Sequence, residues 1–301
     1  MAESSNAAQR QAAGSIYDLG YRSYEGTRLG RSYAFTSLFM YSFLSIWGIG
    51  RSFWAKFFPF ALAVIVMLPS IILLAIAALV PAEFEVTQPE EYFGFIAIVL
   101  ALFCAVAAPE LFGRDQRQKT LALYFSRALS RLDYAGAKVG ALVLSLFLVL
   151  VIPQILLQLG NAVAAEGLTD YLEENVDLYP PIVASSFLIA LFMGCFALAI
   201  AIQTSRRAFA TGAIIASFVI LTALGGIFVE TLDIDTGKYA LLISPFDVLE
   251  GLTVWVFGVE PFEDSWVERA DLSGLTYFAV TMLVTAVSLG VILRRILRMS
   301  V

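Results

Sequence analysis

The chain has 301 residues, 59% of them hydrophobic and only 15% charged, with a mean hydropathy of +0.82, whereas ordinary soluble domains are roughly 45–50% apolar and 25% charged. No single water-facing core hides that much apolar surface in a chain of this size, so a water-soluble fold is excluded and lipid is the missing solvent. A formal charge of −6 argues against a polyanion or nucleic-acid partner, and the absence of histidine removes the commonest metal ligand and general base, along with any Ser-His-Asp or Cys-His arrangement.

Residues 1–30 are polar and do not lead a charged start into an apolar core, so no cleaved signal peptide is expected. The stretch 1–14 reads as disordered, whereas 17–31, dense in aromatic, Gly and Arg residues, reads as a segment that folds on a cytoplasmic surface. Residues 32–50 are uncharged and rich in Phe, Tyr and Trp, but Arg28 and Arg31 precede them and Arg51 and Lys56 follow. Bases on both flanks keep both ends on one side, which predicts an interfacial elbow helix rather than a span. The domain reading is an N-terminal tail and elbow over 1–56, followed by a membrane domain over 57–301.

Six windows contain no Asp, Glu, Lys or Arg: 57–82, 92–109, 139–165, 178–205, 208–229 and 272–293. A bilayer is crossed by roughly 20 apolar residues and a charge at its centre costs several kcal/mol, so each window predicts a transmembrane helix. The segments before the first window, between the second and third, between the fourth and fifth, and after the sixth carry 17 of the 19 Lys and Arg residues. The remaining loops hold only Lys238 and Arg269 against 19 acids. The positive-inside rule therefore predicts a multi-pass protein of the plasma membrane with both termini cytoplasmic. The outer stretch 239–259 is interrupted by Pro245, Asp247 and Glu250, and one or two short helices in the outer leaflet are expected there, covered by protein.

Several polar positions fall inside the windows. Gln154, Gln158 and Asn161 share one face of the third span beside Pro153, and Thr281, Thr285 and Ser288 form a similar stripe on the sixth. Either stripe suits a lined pathway or interhelical hydrogen bonds. Gly136 and Gly140 permit close helix approach, within one subunit or at a dimer seam. Pro59, Pro69 and Pro153 are expected to kink their helices. Cys104 and Cys195 are expected as small apolar fillers, too few for a zinc site. No Gly-x-x-x-x-Gly-Lys-Ser/Thr phosphate loop exists, because the Gly237-Lys238 pair is followed by Tyr239. The windows hold no ionisable group, which disfavours proton-coupled transport but leaves a sodium-coupled carrier open.

The segment 109–138, PELFGRDQRQKTLALYFSRALSRLDYAGAK, mixes both signs of charge with Leu121, Tyr124, Phe125 and Leu129 at helical spacing. Such a segment suits either a partner-docking surface or an ordinary positive loop on lipid phosphate. Its wording resembles the cytoplasmic coupling loop of permease subunits of ATP-binding-cassette transporters of the ABC type-2 family. The resembling residues are Glu110, Arg114-Asp115-x-Arg117, Thr120-Leu121, Tyr124-x-Ser126-Arg127 and Ser130-Arg131-x-Asp133-Tyr134, leading to Lys138. Ala128 departs from the pattern, since many relatives have proline there, and implies a softer turn. The stretch YRSYEGTRLGR over 21–31 and SPFDVL over 244–249 also look like segments of such permeases.

The resemblance implies an all-α integral membrane protein with six transmembrane helices, an N-terminal elbow helix, a cytoplasmic coupling helix between spans two and three, and short outer helices between spans five and six. It implies Glu110, Arg114, Asp115, Arg117, Thr120, Leu121, Tyr124 and Arg127 as the set that contacts an ATPase. It further implies two ABC ATPase subunits, with ATP and Mg on them and no cofactor or catalysis on this chain, and a second permease copy or paralogue. An unidentified substrate would be moved, by family analogy outward. The alternatives are a six-span carrier or channel not driven by ATP, and a membrane scaffold or enzyme.

Overall fold

The computed structural model describes residues 25–26, 29–79, 88–126, 129–164, 168–231 and 234–299, and among them every regular element is helical. The tail 1–14 and most of the 17–31 stretch lie outside the described residues, as do Arg127 and Ala128. The chain divides at Gly30: the unit Met1–Gly30 holds few described residues, and Arg31–Val301 carries all the helices that follow.

In chain order these are α1 (Arg31–Ile46), α2 (Phe53–Leu79), α3 (Tyr92–Gln118), α4 (Leu121–Phe125), α5 (Arg131–Ala164), α6 (Leu168–Glu174), α7 (Tyr179–Ala201), α8 (Arg207–Thr231), α9 (Ile234–Ala240), α10 (Pro245–Phe257), α11 (Trp266–Ala270) and α12 (Gly274–Arg298). Six of them, α2, α3, α5, α7, α8 and α12, are long and apolar enough to cross a membrane, and each contains most of one charge-free window. The helices do not stop where the apolar windows stop. α3 runs nine residues past Pro109 to Gln118, and α5 begins at Arg131, eight residues before its window. At 1.5 Å per residue α3 is about 40 Å long and α5 about 51 Å, against about 30 Å of hydrocarbon. Their charged turns project beyond the apolar layer, so the expected loop 109–138 is mostly helix.

α3, α5 and α7 are the most enclosed of the long helices, and α2, α8 and α12 surround them with faces left open. Tyr92 at the start of α3 donates its hydroxyl to the Val66 carbonyl of α2, and Thr211 of α8 donates to the Ala105 carbonyl of α3 at 2.8 Å. Both cysteines are buried and unbridged among apolar neighbours.

α1 differs from the flat interfacial helix expected. Arg31 pairs with Asp133 at 2.7 Å, while a Cβ added to Gly136 would lie 3.8 Å from the Phe35 ring, and one added to Gly140 3.3 Å from the Phe39 ring. Successive turns of α1 thus meet successive turns of α5 in the same direction, and the two helices run side by side. The glycines remove the side chains that would hold α1 away, so this close approach lies within one chain. At 16 residues α1 remains shorter than a span. A turn with Gly48 and Gly50 at positive φ then leads into α2.

Long-range bonds gather the basic segments at one end of the bundle. Arg31 meets Asp133, Arg131 donates to the Leu297 carbonyl, Gln116 donates to the Ile202 carbonyl at 3.1 Å, and Arg207 meets Glu110. At the opposite end, α9 and a short 3-10 turn meet α10 at a 99° bend. Ser244, at the head of α10, sits against Gly225 near the end of α8, and Trp255 near its tail sits against Gly274 at the start of α12. Both ends of α10 therefore lie near the same end of the bundle, so α10 lies at that end rather than crossing. It packs on α12, α7 and α8.

Candidate functional site

α3 ends at Lys119, whose φ of 52° turns the chain left-handed while its N–H caps the carbonyls of Asp115 and Gln116. That turn delivers the five-residue helix α4 at the basic end. Tyr124 and Phe125 face inward, their ring centroids each 5.7 Å from that of Tyr134 on α5. Burial, with the Asp115 carboxylate adding to it, pushes the Tyr124 phenol up to about 12, so it stays neutral. The opposite side presents Ala122, Leu123 and Ser126, and Leu123 is 67% exposed.

The expected contact set divides between buried and accessible members. Glu110 is 7% exposed and lies between two guanidinium groups, with Arg51 Nη1 and Arg207 Nη1 each 2.6 Å from a carboxylate oxygen. Asp115 is 5% exposed, 2.8 Å from Lys138 Nζ, and accepts a hydrogen bond from the Tyr134 hydroxyl at 2.8 Å. Both of these carboxylates of the expected contact set are therefore buried. A carboxylate drawn into a packed helix junction is stabilised only by internal cations and donors, and both find them. Tyr124 is likewise turned toward α5. Arg117 is exposed, and Arg114, Thr120 and Leu121 are half-buried, so these four and Leu123 compose the accessible part. Leu123 escaped the sequence reading because its neighbours Leu121 and Tyr124 carry the family pattern. The alternation of faces along α4 marks it.

Beside α4 lies an open cavity of about 660 Å³ lined by Lys119, Leu121, Arg295, Arg298 and Met299 among others. Arg114, Arg117, Arg295 and Arg298 have no ion-pair partner among the described residues. This end of the bundle therefore offers positive charge around a small apolar projection, chemistry that suits an acidic partner or lipid phosphate alike.

Both polar stripes point into protein rather than outward. Gln154, Gln158 and Asn161 are buried, and so are Thr281, Thr285 and Ser288. Both are only partly satisfied, and Gln154 Oε1 and Asn161 Oδ1 are buried without a hydrogen-bond partner. Gln154 Nε2 reaches Ser186 Oγ on α7 at 3.5 Å, and Gln158 Oε1 accepts from the Tyr171 hydroxyl at 3.3 Å. On α12 the hydroxyls of Tyr277, Thr281 and Thr285 are buried with no hydrogen-bond partner. No hydrogen bond between described residues joins one stripe to the other.

α10 adds what the charge-free windows lack. Ser244 caps its N-terminus, accepting from the Asp247 N–H at 3.3 Å. Asp247 is 7% exposed, and one carboxylate oxygen each of Asp247 and Glu250 is buried without a hydrogen-bond partner. The six spans carry no carboxylate in their apolar windows, yet α10 brings a buried Asp247 and a half-buried Glu250 to the bundle. No protein-family model matches this chain, and no curated protein matches it.

Proposed function

We propose that this chain is the permease subunit of an ATP-binding-cassette transporter of the ABC type-2 family, working as a dimer with separate ATPase subunits and moving its substrate outward. The reading is supported chiefly by one observation: α4, in the segment whose wording resembles a coupling loop, stands free on its outer side while its base is tied to four other parts of the chain. Glu110 links α3 to Arg51 and to α8 through Arg207, and Asp115 links it to α5 through Lys138. The hydrogen bond from Gln116 adds the end of α7. A push on α4 by a partner would reach several spans through these buried pairs, which is what conversion of ATPase closure into an inward-open to outward-open repacking requires.

Arg114, Arg117, Thr120, Leu121 and Leu123 then form the contact with the ATPase, charged members setting register and Leu123 acting as the apolar anchor. Glu110, Asp115 and Tyr124 position that surface. Arg127 keeps its place in the contact set on the resemblance alone. The test is purification of the full chain from its own membranes in mild detergent. A stoichiometric protein carrying a phosphate loop is expected to accompany it, and Arg117→Glu should reduce that recovery severalfold while the chain stays inserted. Substrate flux driven by the chain alone from a sodium or pH difference would overturn the reading, as would labelling that places 110–138 outside the cell.

A carrier driven by an ion gradient is the second reading, and one observation favours it: α10 brings a buried Asp247 and a half-buried Glu250 to the bundle. Flux without any nucleotide dependence would select it.

A further inference from the structure

The open cavity of about 660 Å³ at the basic end is lined by Lys119 at the left-handed end of α3, Leu121 and Ala122 of α4, and Arg295, Arg298 and Met299 at the end of α12. Its volume falls within the roughly 300–1,000 Å³ of small-molecule sites. No acid lines it. The acids of neighbouring turns are already committed, Glu110 to Arg51 and Arg207, Asp115 to Lys138, and Asp133 to Arg31. Nor are the arginines needed to close α12, because Arg131 reaches over from α5 and donates to the carbonyls of Ile296 and Leu297. Three cations from distant parts of the chain thus line one cavity with no ion-pair partner among the described residues.

The approach to this cavity along α12 is apolar. Leu283, Val287 and Val291 are exposed at successive turns, and the same side of the helix continues, at spacings of four and three residues, into the exposed Arg295 and Arg298. α12 leaves its charge-free window at Leu293, which puts Arg295 and Arg298 about 3 and 8 Å beyond it at 1.5 Å per residue, within the headgroup region. A ligand matching this profile lays an acyl chain on the α12 face and ends in an anionic head. Phosphate is the head that guanidinium groups hold best, through paired charge-assisted hydrogen bonds, whereas an acidic peptide would leave the apolar run uncovered. We infer that Lys119, Arg295 and Arg298 hold the phosphate headgroup of an anionic lipid, with Leu121, Ala122 and Met299 against the part of the lipid next to it. The site goes beyond the ATPase reading and stands without it, since α12 and Lys119 present this profile whichever partner meets α4.

Native mass spectrometry of the delipidated full chain in an uncharged detergent tests this by counting bound lipid. Phosphatidylglycerol should bind saturably, with an apparent affinity at least about tenfold above that of phosphatidylcholine carrying the same chains. Arg295→Gln and Arg298→Gln should each weaken it about fivefold, as expected of about 1 kcal/mol per base beside an anionic lipid. Lys119→Gly should do the same without loss of thermal stability, because the φ of 52° there suits glycine and the change removes the cation. Arg294→Gln, at an exposed base of the same turn that does not line the cavity, should leave binding unchanged. Equal binding of the two lipids by the wild-type chain would overturn the assignment, and that arm needs no variant to fold. An equal loss in Arg294→Gln would overturn it too, as diffuse attraction to a basic turn. Inorganic phosphate displacing phosphatidylglycerol at equal concentration would make the cavity a site for soluble anions. Loss of the lipid when a second copy or an ATPase associates would give the cavity to that partner, and either result refutes the lipid.

Discussion

Breaking the Asp115–Lys138 pair from one side should destabilise the chain far more than replacing both members together. The side chains are 6% and 2% exposed and their charged atoms are 2.8 Å apart. At an effective dielectric of about 20, that separation corresponds to an attraction of about 6 kcal/mol, most of it offset by the cost of taking both charges out of water. Asp115→Asn strands the Lys138 ammonium beside the Tyr134 ring, and Lys138→Met strands a carboxylate held only by the Tyr134 hydroxyl. Each should cost about 3–5 kcal/mol, the usual penalty for leaving one buried charge uncompensated. The double variant keeps the volume and buries no charge, so it should lie within about 2 kcal/mol of the wild-type chain, with a coupling of at least about 4 kcal/mol. SDS titration in mixed micelles, read by circular dichroism, gives the four stabilities of the cycle. Two single variants each within about 1 kcal/mol of wild type, or a double variant no better than their sum, would refute the claim that this pair fastens α3 to α5.

Further outcomes follow from the packing. Gly48→Ala should destabilise strongly, since φ there is 65° and the new Cβ would strike the Ala55 carbonyl; loss of folded protein on size-exclusion chromatography would report it. Gly140→Leu should force α1 off α5, because even a Cβ would stand 3.3 Å from Phe39, costing about 1–3 kcal/mol. Cysteines placed at Phe35 and Gly136 should crosslink in the otherwise wild-type chain, and several-fold more slowly once Gly140→Leu is added.

Much of the architecture is legible along the chain because hydropathy is a local sum. The six charge-free windows all become long helices, and Pro245 and Ser244 mark the head of the α10 helix. The helix ends are not legible in the same way. The charges at 110–118 mark the end of an apolar window because lipid excludes them, but lipid exclusion does not break a helix, and α3 simply continues until Lys119 reverses it. The Gly136 and Gly140 pair signalled close approach without saying what approaches, and Phe35 and Phe39, about a hundred residues away, supply the answer.

Hydropathy and charge along the chain are enough to give six apolar helices long enough to cross a membrane and to mark which segments carry the bases. Tertiary structure alone decided which charges are available. Glu110 looks like its neighbour Arg117 in a string of letters, yet Arg51 and Arg207 enclose the first and nothing encloses the second. Asp247 likewise reads as an interruption of an outer segment until the packing of α10 buries it. Membrane insertion depends on the summed transfer energy of consecutive residues, whereas the state of a buried charge depends on whatever distant part of the chain packs against it.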